Sequence, residues 1–189
     1  MKTAEISEIL AKLFNQEDIK HDVEEAWQIQ NSQVHLLVLL SEDLSWIRLL
    51  TPIATATEAQ SLLPQILEDN FNATQEVRYA LNQNVLWGVF HHRLASLVAA
   101  DLESAIASLQ SLKEKGLSYS FNQLIEKQII QIVKAAKAQG QSLEATYQTI
   151  DRFYQEGVMG GVDQDPAQRE QFLAAWKMQL ERLWSEVEV

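Results

Sequence analysis

Apolar residues recur with two different periods along the first half of the chain. At helical spacing they predict an amphipathic helix over residues 4–14. After an acidic connection at 17–22, they alternate with period two, which is typical of strands, in three segments at residues 23–30, 34–40 and 46–56. The short connections between these segments predict an antiparallel meander.

A helix, a two-strand hairpin and a further helix follow the meander. The helix ends near Phe71, and a two-residue turn separates the next strands, at 77–82 and 85–93. The following helix begins at Asp101. The order α-β-β-β-α-β-β-α predicts an α+β fold in which helices pack against a five-stranded antiparallel sheet.

The pattern becomes entirely helical from Gly116 onward. Three further helices, the first expected to begin with Ser120 as its N-cap, are predicted at residues 120–140, 142–154 and 166–187. We therefore predict two domains, an α+β domain over 1–115 and a helical extension over 116–189.

One predicted strand is apolar on both of its faces. In the segment 34–40, Leu37 and Leu39 lie opposite the other apolar residues, so they need a cover of their own. We expect the helical extension to fold back over the sheet; the alternative is that it forms a separate domain.

Composition restricts the chemistry open to the chain. Its 189 residues include no cysteine, which excludes disulfides, thiolate nucleophiles and cysteine-ligated metal clusters. With 26 acidic against 15 basic residues the net charge is −11, and a field of that sign repels phosphate backbones. We therefore expect no nucleic-acid partner. We expect protein partners with basic segments, whose association weakens as salt rises.

The segment at the N-terminus and the longest apolar run bear on location. The N-terminal segment mixes charged and apolar residues at helical spacing, whereas a signal peptide has an uninterrupted apolar core. The longest apolar run, at 34–40, contains a histidine and is too short to cross a bilayer. We predict a cytoplasmic protein without membrane insertion.

No constellation of residues indicates catalysis. His91 and His92 are adjacent on a predicted strand and point to opposite faces, so they cannot chelate one metal ion together. The glycine-containing segment 157–163 lacks the Lys-Ser/Thr of a phosphate cradle, and Asp163 and Asp165 lack the closing glutamate of a calcium loop. We predict no catalytic residue, no cofactor and no metal, and therefore no enzyme.

Aromatic residues on the predicted strands are the candidate contact residues. Because aromatic side chains contribute strongly to both cores and interfaces, three strand tryptophans have two interpretations, core packing or partner contact. We predict partner binding through four strand residues: Trp27, Trp46, Arg48 and Trp87.

Three segments resemble the class I type III secretion chaperone fold. Residues 67–71, LEDNF, are similar to the LLxxNF-like helix end of such chaperones; residues 85–87, VLW, lie in the hairpin that follows; and residues 102–112 carry apolar positions in the family's pattern. The resemblance covers residues 1–115, to which 116–189 are an addition. It implies a small, acidic, homodimeric protein that binds unfolded segments of partner proteins.

Together these expectations describe a non-enzymatic adaptor or chaperone-like protein that binds other proteins. Apolar strands and helices with more surface than one sheet face can hide also favour a homodimer. The alternative is a small-molecule-binding domain or an enzyme, with a pocket between the sheet and the helical extension.

Overall fold

The computed structural model describes residues 1–156 and 166–188; at 154–155, 166–173 and 175 it describes the backbone alone. The chain forms two compact units, Met1–Phe121 and Asn122–Val189. We call the first the sheet unit and the second the helical unit.

The sheet unit consists of one antiparallel sheet and its helices. Its strands lie in the order β1-β2-β3-β4-β6-β5. The elements, in chain order, are α1 (Thr3–Leu13), β1 (Ile19–Val23), β2 (Ala26–Gln30), β3 (His35–Leu40), β4 (Trp46–Thr55), α2 (Ala56–Ala59), α3 (Leu63–Asn72), β5 (Arg78–Asn82), β6 (Val85–Arg93) and α4 (Ala99–Lys115).

The predicted α+β class is confirmed, but the prediction of five strands is wrong. The sixth is β1, which lies in the segment interpreted as an acidic connection and pairs with β2 at the edge of the sheet. Only its first residue, Ile19, is even partly buried. An edge strand with so little burial has no apolar alternation, and therefore the hydrophobic pattern does not reveal it.

Helices α1 and α4 pack on one side of the sheet, which we call the covered face. Trp27 on β2 donates from its indole nitrogen to the Ser7 hydroxyl of α1 at 3.1 Å. A Cβ added to Gly88 on β6 would lie only 3.1 Å from the Leu109 side chain of α4. Large side chains that are almost fully buried on this face form the core: Trp27, Ile29, Leu36, Ile47, Leu49, Leu86 and Phe90.

The junction between α4 and the next helix corrects one predicted helix start. Helix α4 ends at Lys115 and is capped by Gly116, whose φ of 51° lies in the left-handed region that favours glycine. Helix α5 (Ser118–Ala138) then begins two residues before the predicted N-cap. Ser120 therefore lies inside the helix, where its hydroxyl donates to Asp69 of α3 at 2.6 Å. The side chain that resembled a cap is instead a tertiary contact within the sheet unit.

The helical unit has a core of its own. It contains the rest of α5, α6 (Leu143–Gln155) and α7 (Pro166–Glu186). Buried apolar side chains from the three helices, and from the residue that follows α7, pack together: Ile129, Val133, Ile150, Trp176, Leu180, Leu183 and Val187. Beyond Gly116 the described residues contain no strand, as predicted. The segment 157–163 lies outside the described residues, and the domain boundary at 115/116 and the folding back of the extension stay predictions.

Candidate functional site

The strand register separates the tryptophans that were predicted to bind a partner. Trp27 lies on the covered face with 1% of its surface exposed, and its ring stacks on His21 at 4.5 Å between centroids. Trp46 and Trp87 lie on the opposite side of the sheet, together with Arg48. We call this side the second face. Trp27 thus belongs to the core, while partner contact by the other three residues stays a prediction.

The second face is formed by alternate residues of all six strands. One register row crosses it from edge to edge, through Lys20, Gln28, Leu37, Leu50, Val89 and Arg78. The apolar side chains of the face keep part of their surface exposed, which gives a half-buried apolar centre: Ala26, Leu37, Leu39, Trp46, Leu50, Pro52, Val85, Trp87 and Val89. Such a surface provides both the apolar area and the aromatic side chains that protein interfaces use.

The charge of the second face differs in sign from that of the chain. The Lys and Arg residues of the six strands all lie on it: Lys20, Arg48, Arg78 and Arg93. Asp22, in the irregular part of β1, is the one acidic residue in the six strands that the structure describes. The other acidic residues that the structure describes lie outside the strands, in helices and loops. The signal in the sequence was the scarcity of Asp and Glu in the predicted strands, which the total charge conceals.

Trp46, Arg48 and His91 form a cluster on the second face. The Arg48 guanidinium lies 4.8 Å from the centre of the Trp46 ring, and the His91 ring meets the same tryptophan edge-on at 4.8 Å. Partial burial, and secondly the positive charge of Arg48, lower the pKa of His91 from its usual value of 6.5. His91 is therefore mostly neutral at neutral pH, and Arg48 supplies the charge of the cluster.

The two adjacent histidines of β6 are separated by the sheet. His91 lies on the second face, whereas His92 lies on the covered face and its ring stacks on that of Phe90 at 5.8 Å between centroids. Among the residues whose positions are described, no group of three or more His, Cys, Asp or Glu side chains could hold a metal ion. No described helix combines the length and the apolar character needed to cross a bilayer.

Helix α3 carries a second apolar surface. Leu67 is 66% exposed and Phe71 is 89% exposed, one turn apart on the same side of the helix, with the half-buried Leu63 a turn before them. Exposure of this extent is unusual for a large aromatic side chain in a folded domain. We call Leu63, Leu67 and Phe71 the α3 stripe.

Asp69 and Asn70, in the same segment LEDNF, form hydrogen bonds within the sheet unit. Asn70 Oδ1 accepts from the Tyr79 backbone nitrogen at 2.7 Å, and its amide nitrogen donates to the Tyr79 carbonyl at 3.1 Å, on the outer edge of β5. Asp69 is buried and accepts from Gln65 and Ser120. Burial, together with the Asp69 charge, raises the pKa of Tyr79 to about 12. The segment therefore joins α3 to β5 and α5 while leaving Leu67 and Phe71 exposed.

Solved structures that are similar to this chain include three complexes of known components. The ExsC-ExsE complex matches with a TM-score of 0.47 at 15% identity, over 59% of this chain and 90% of that chain. The Yersinia pestis type III secretion chaperone SycH, in complex with a stable fragment of YscM2, matches with a TM-score of 0.46 at 13% identity, over 60% and 98%. The HopA1-SchA chaperone-effector complex matches with a TM-score of 0.46 at 12% identity, over 61% and 97%.

The sheet unit has the element order that the resemblance to the type III secretion chaperone fold implied, apart from the added β1. Two of the three matching structures are described as chaperones. No protein-family model and no curated protein matches the chain.

Proposed function

We propose that this chain is a non-enzymatic, chaperone-like adaptor that holds a segment of a partner protein on its second face. The observation that carries the proposal is the half-buried apolar centre of that face, where Trp46, Arg48 and Trp87 lie on neighbouring strands. Tryptophan and arginine are the side chains that most often dominate the free energy of protein association. A rigid sheet also holds them in place before the partner arrives, which lowers the entropic cost of binding.

The test compares partner capture by the wild-type chain and by variants of the second face. Trp46→Ala and Trp87→Ala should each reduce recovery of the same partners from the protein's own cell extract, because each removes a large partly exposed aromatic surface. Phe153→Ala is the matched control, since Phe153 is an aromatic residue of the helical unit with 38% of its surface exposed. Circular dichroism verifies that all variants are folded. Equal recovery by folded Trp46 and Trp87 variants would contradict the proposal.

We also propose that two copies of the chain associate through the α3 stripe. Leu67 and Phe71 expose apolar surface that a symmetric contact would remove from water. Light scattering over a range of concentrations should give a mass above the 21.5 kDa of one chain. Phe71→Asp should shift it towards one chain, because a carboxylate would be buried in an apolar contact.

A matched variant outside the α3 stripe distinguishes a specific dimer contact from nonspecific association through exposed apolar residues. Val98→Asp introduces the same charge at an apolar residue that is 54% exposed at the start of α4, and it should leave the mass unchanged. A constant mass of one chain for the wild-type protein rules the dimer out.

We propose a cytoplasmic location for this adaptor, in keeping with the absence of cysteine. The alternative of an enzyme or small-molecule-binding domain stays a hypothesis. A thermal-shift screen of metals, nucleotides and metabolites tests it, since a ligand at a hundredfold excess over its dissociation constant stabilises by about 2.7 kcal/mol. A reproducible shift with one class of compound would favour the alternative.

A further inference from the structure

We infer that the segment bound on the second face is an acidic one, in which apolar side chains alternate with Asp or Glu. This inference rests on the proposed function and adds the chemistry of the partner. It departs from the expectation, drawn from the total charge, that partners carry basic segments. The difference arises because the charge of the sheet is opposite to the charge of the chain as a whole.

The first argument is the distribution of cations around the apolar centre. In the edge-to-edge row, Lys20 and Arg78 lie on the outermost strands, while Leu37, Leu50 and Val89 lie between them. Arg48 and Arg93 follow on the central strands β4 and β6, at positions two and four residues from that row. Neighbouring strands are about 4.8 Å apart and alternate residues of one strand about 7 Å apart, so apolar and cationic side chains adjoin each other. Carboxylates interspersed with apolar side chains complement this arrangement.

The second argument is that these guanidinium groups have neutral partners. Arg48 lies over the Trp46 ring, and Arg78 donates to the carbonyl oxygens of Thr74 at 3.3 Å and Val77 at 2.8 Å. Among the side chains that the structure describes, neither forms an ion pair with a carboxylate. A partner carboxylate would be the first strong anionic acceptor that they meet.

The acidic remainder of the chain does not cancel this local charge. At physiological ionic strength the Debye length is about 8 Å, so exposed carboxylates on distant helices and loops are largely screened at the centre of the sheet. Arg48 is half-buried, and a partly buried charge is screened less than an exposed one. The cations of the second face therefore determine which partner charge is favoured at contact.

An acidic protein segment fits the face better than a nucleic acid. The centre of the face is largely aliphatic, with Leu37, Leu39, Leu50 and Val89, whereas single-stranded nucleic acids are held by aromatic side chains that stack on successive bases. A polyanion also extends well beyond the face and is repelled by the net charge of −11. A short amphipathic segment has apolar side chains for the centre and only a few charges for the cations.

The probes are three fluorescein-labelled peptides of ten residues, the length of β4. In each, leucine alternates with one variable residue, which is glutamate, glutamine or lysine, and glycine-serine flanks keep the peptides soluble. Fluorescence anisotropy measures binding to the full chain. We expect the glutamate peptide to bind about tenfold more tightly than the glutamine peptide, as one charge-assisted contact provides, and the lysine peptide to bind most weakly.

Charge-removing variants connect that preference to the second face. Arg48→Gln and Arg93→Gln should each weaken the glutamate peptide by about threefold, so that together they remove the tenfold preference, and both should leave the glutamine peptide unchanged. Arg48→Lys keeps the charge and should retain most of the preference for the glutamate peptide. It replaces Arg48→Gln in the comparison if that variant does not fold. Lys12→Gln is the matched control, because Lys12 is an exposed cation on α1, on the covered side of the sheet; it should change neither affinity.

The outcomes separate this inference from the proposed function. Preference for the lysine peptide, or a glutamate preference that survives Arg48→Gln and Arg93→Gln together, overturns the inference. A single-stranded oligonucleotide that displaces the glutamate peptide, with the same dependence on Arg48, identifies a nucleic-acid surface instead. If partner capture depends on Trp46 and Trp87 while the peptides show no charge preference, the proposed function is supported and the inference of an acidic segment is wrong. Tighter association of the chain with itself than with any peptide assigns the face to a second copy.

Discussion

The buried contact between Asp69 and Ser120 holds the first turn of α5 to the sheet unit, and its strength can be measured. The two side chains are 4% and 1% exposed, and the Ser120 hydroxyl donates to Asp69 Oδ2 at 2.6 Å. Gln65 Nε2 donates to the other carboxylate oxygen at 2.8 Å. Ser120→Ala removes the first donor and leaves the second in place.

The geometry sets the size of the expected effect. A hydrogen bond to a charged group contributes about 1.5–3 kcal/mol, and a short buried bond lies in the stronger part of that range. We expect Ser120→Ala to lower the free energy of unfolding of the sheet unit by about 2 kcal/mol. Asp69→Ala should cost about 3 kcal/mol, because it removes the acceptor of both the Ser120 hydroxyl and the Gln65 amide.

A double-mutant cycle isolates the contact itself. Native-state hydrogen exchange, followed by mass spectrometry on peptides from β5 and β6, reports on the sheet unit separately from the helical unit. The coupling energy between Asp69→Ala and Ser120→Ala should be about 1–2 kcal/mol. Ser96→Ala is the control, since Ser96 is exposed and its hydroxyl makes only a 3.4 Å contact. A coupling energy below about 0.5 kcal/mol would refute the assignment of Ser120 as a tertiary anchor.

Three other predictions follow from single sites. Gly88→Val should lower the melting temperature, because overpacking against Leu109 costs about 1–3 kcal/mol of the free energy of unfolding. An unchanged melting temperature would show that α4 can move away from the sheet without loss of stability. Lys12→Ala should change the free energy of unfolding by less than about 0.5 kcal/mol, because its 3.0 Å ion pair is largely exposed; a larger loss in urea titration contradicts this. Because the pKa of His91 is lowered in the folded chain, the unfolded chain binds a proton at this residue more readily below pH 6.5. The free energy of unfolding should therefore decrease as the pH is lowered below 6.5. Urea titrations at neutral and acidic pH should show a smaller loss of stability for His91→Gln, and an unchanged loss would count against the lowered pKa of His91 beside Arg48.

The hydrophobic pattern predicted the fold class and most elements because burial and periodicity coincide in them. It failed at β1, where an edge strand has nearly all its residues exposed. It also failed at Ser120, where a side chain suited to an N-cap bonds instead to a residue far away in the chain. The first error concerns a strand without a buried face and the second a long-range contact, and local apolar periodicity carries no information about either.

The candidate site was predicted in part for the same reason. Trp27 recurs at period two with Ile29, and Trp46 with Leu50, so period two alone places each on a face with apolar residues and does not show which face helices cover. The distinction depends on where α1 lies, as shown by the bond from Trp27 to Ser7. The sign of the charge on the sheet required the strand register, because Arg48, Arg78 and Arg93 converge on one face only when the strands pair.

The Asn70 amide stands where the peptide group of a seventh strand would stand. By meeting both backbone groups of Tyr79, it occupies one of the outward-facing pairing positions of the short β5, and the next such position is Leu81. At the other edge, the irregular pairing of β1 interrupts the ladder. Both ends of the sheet are thus poor templates for strand addition, so copies of this protein are hindered from stacking edge to edge into fibrils. We therefore expect the two edges to oppose aggregation of a sheet whose face keeps leucine and tryptophan side chains partly uncovered.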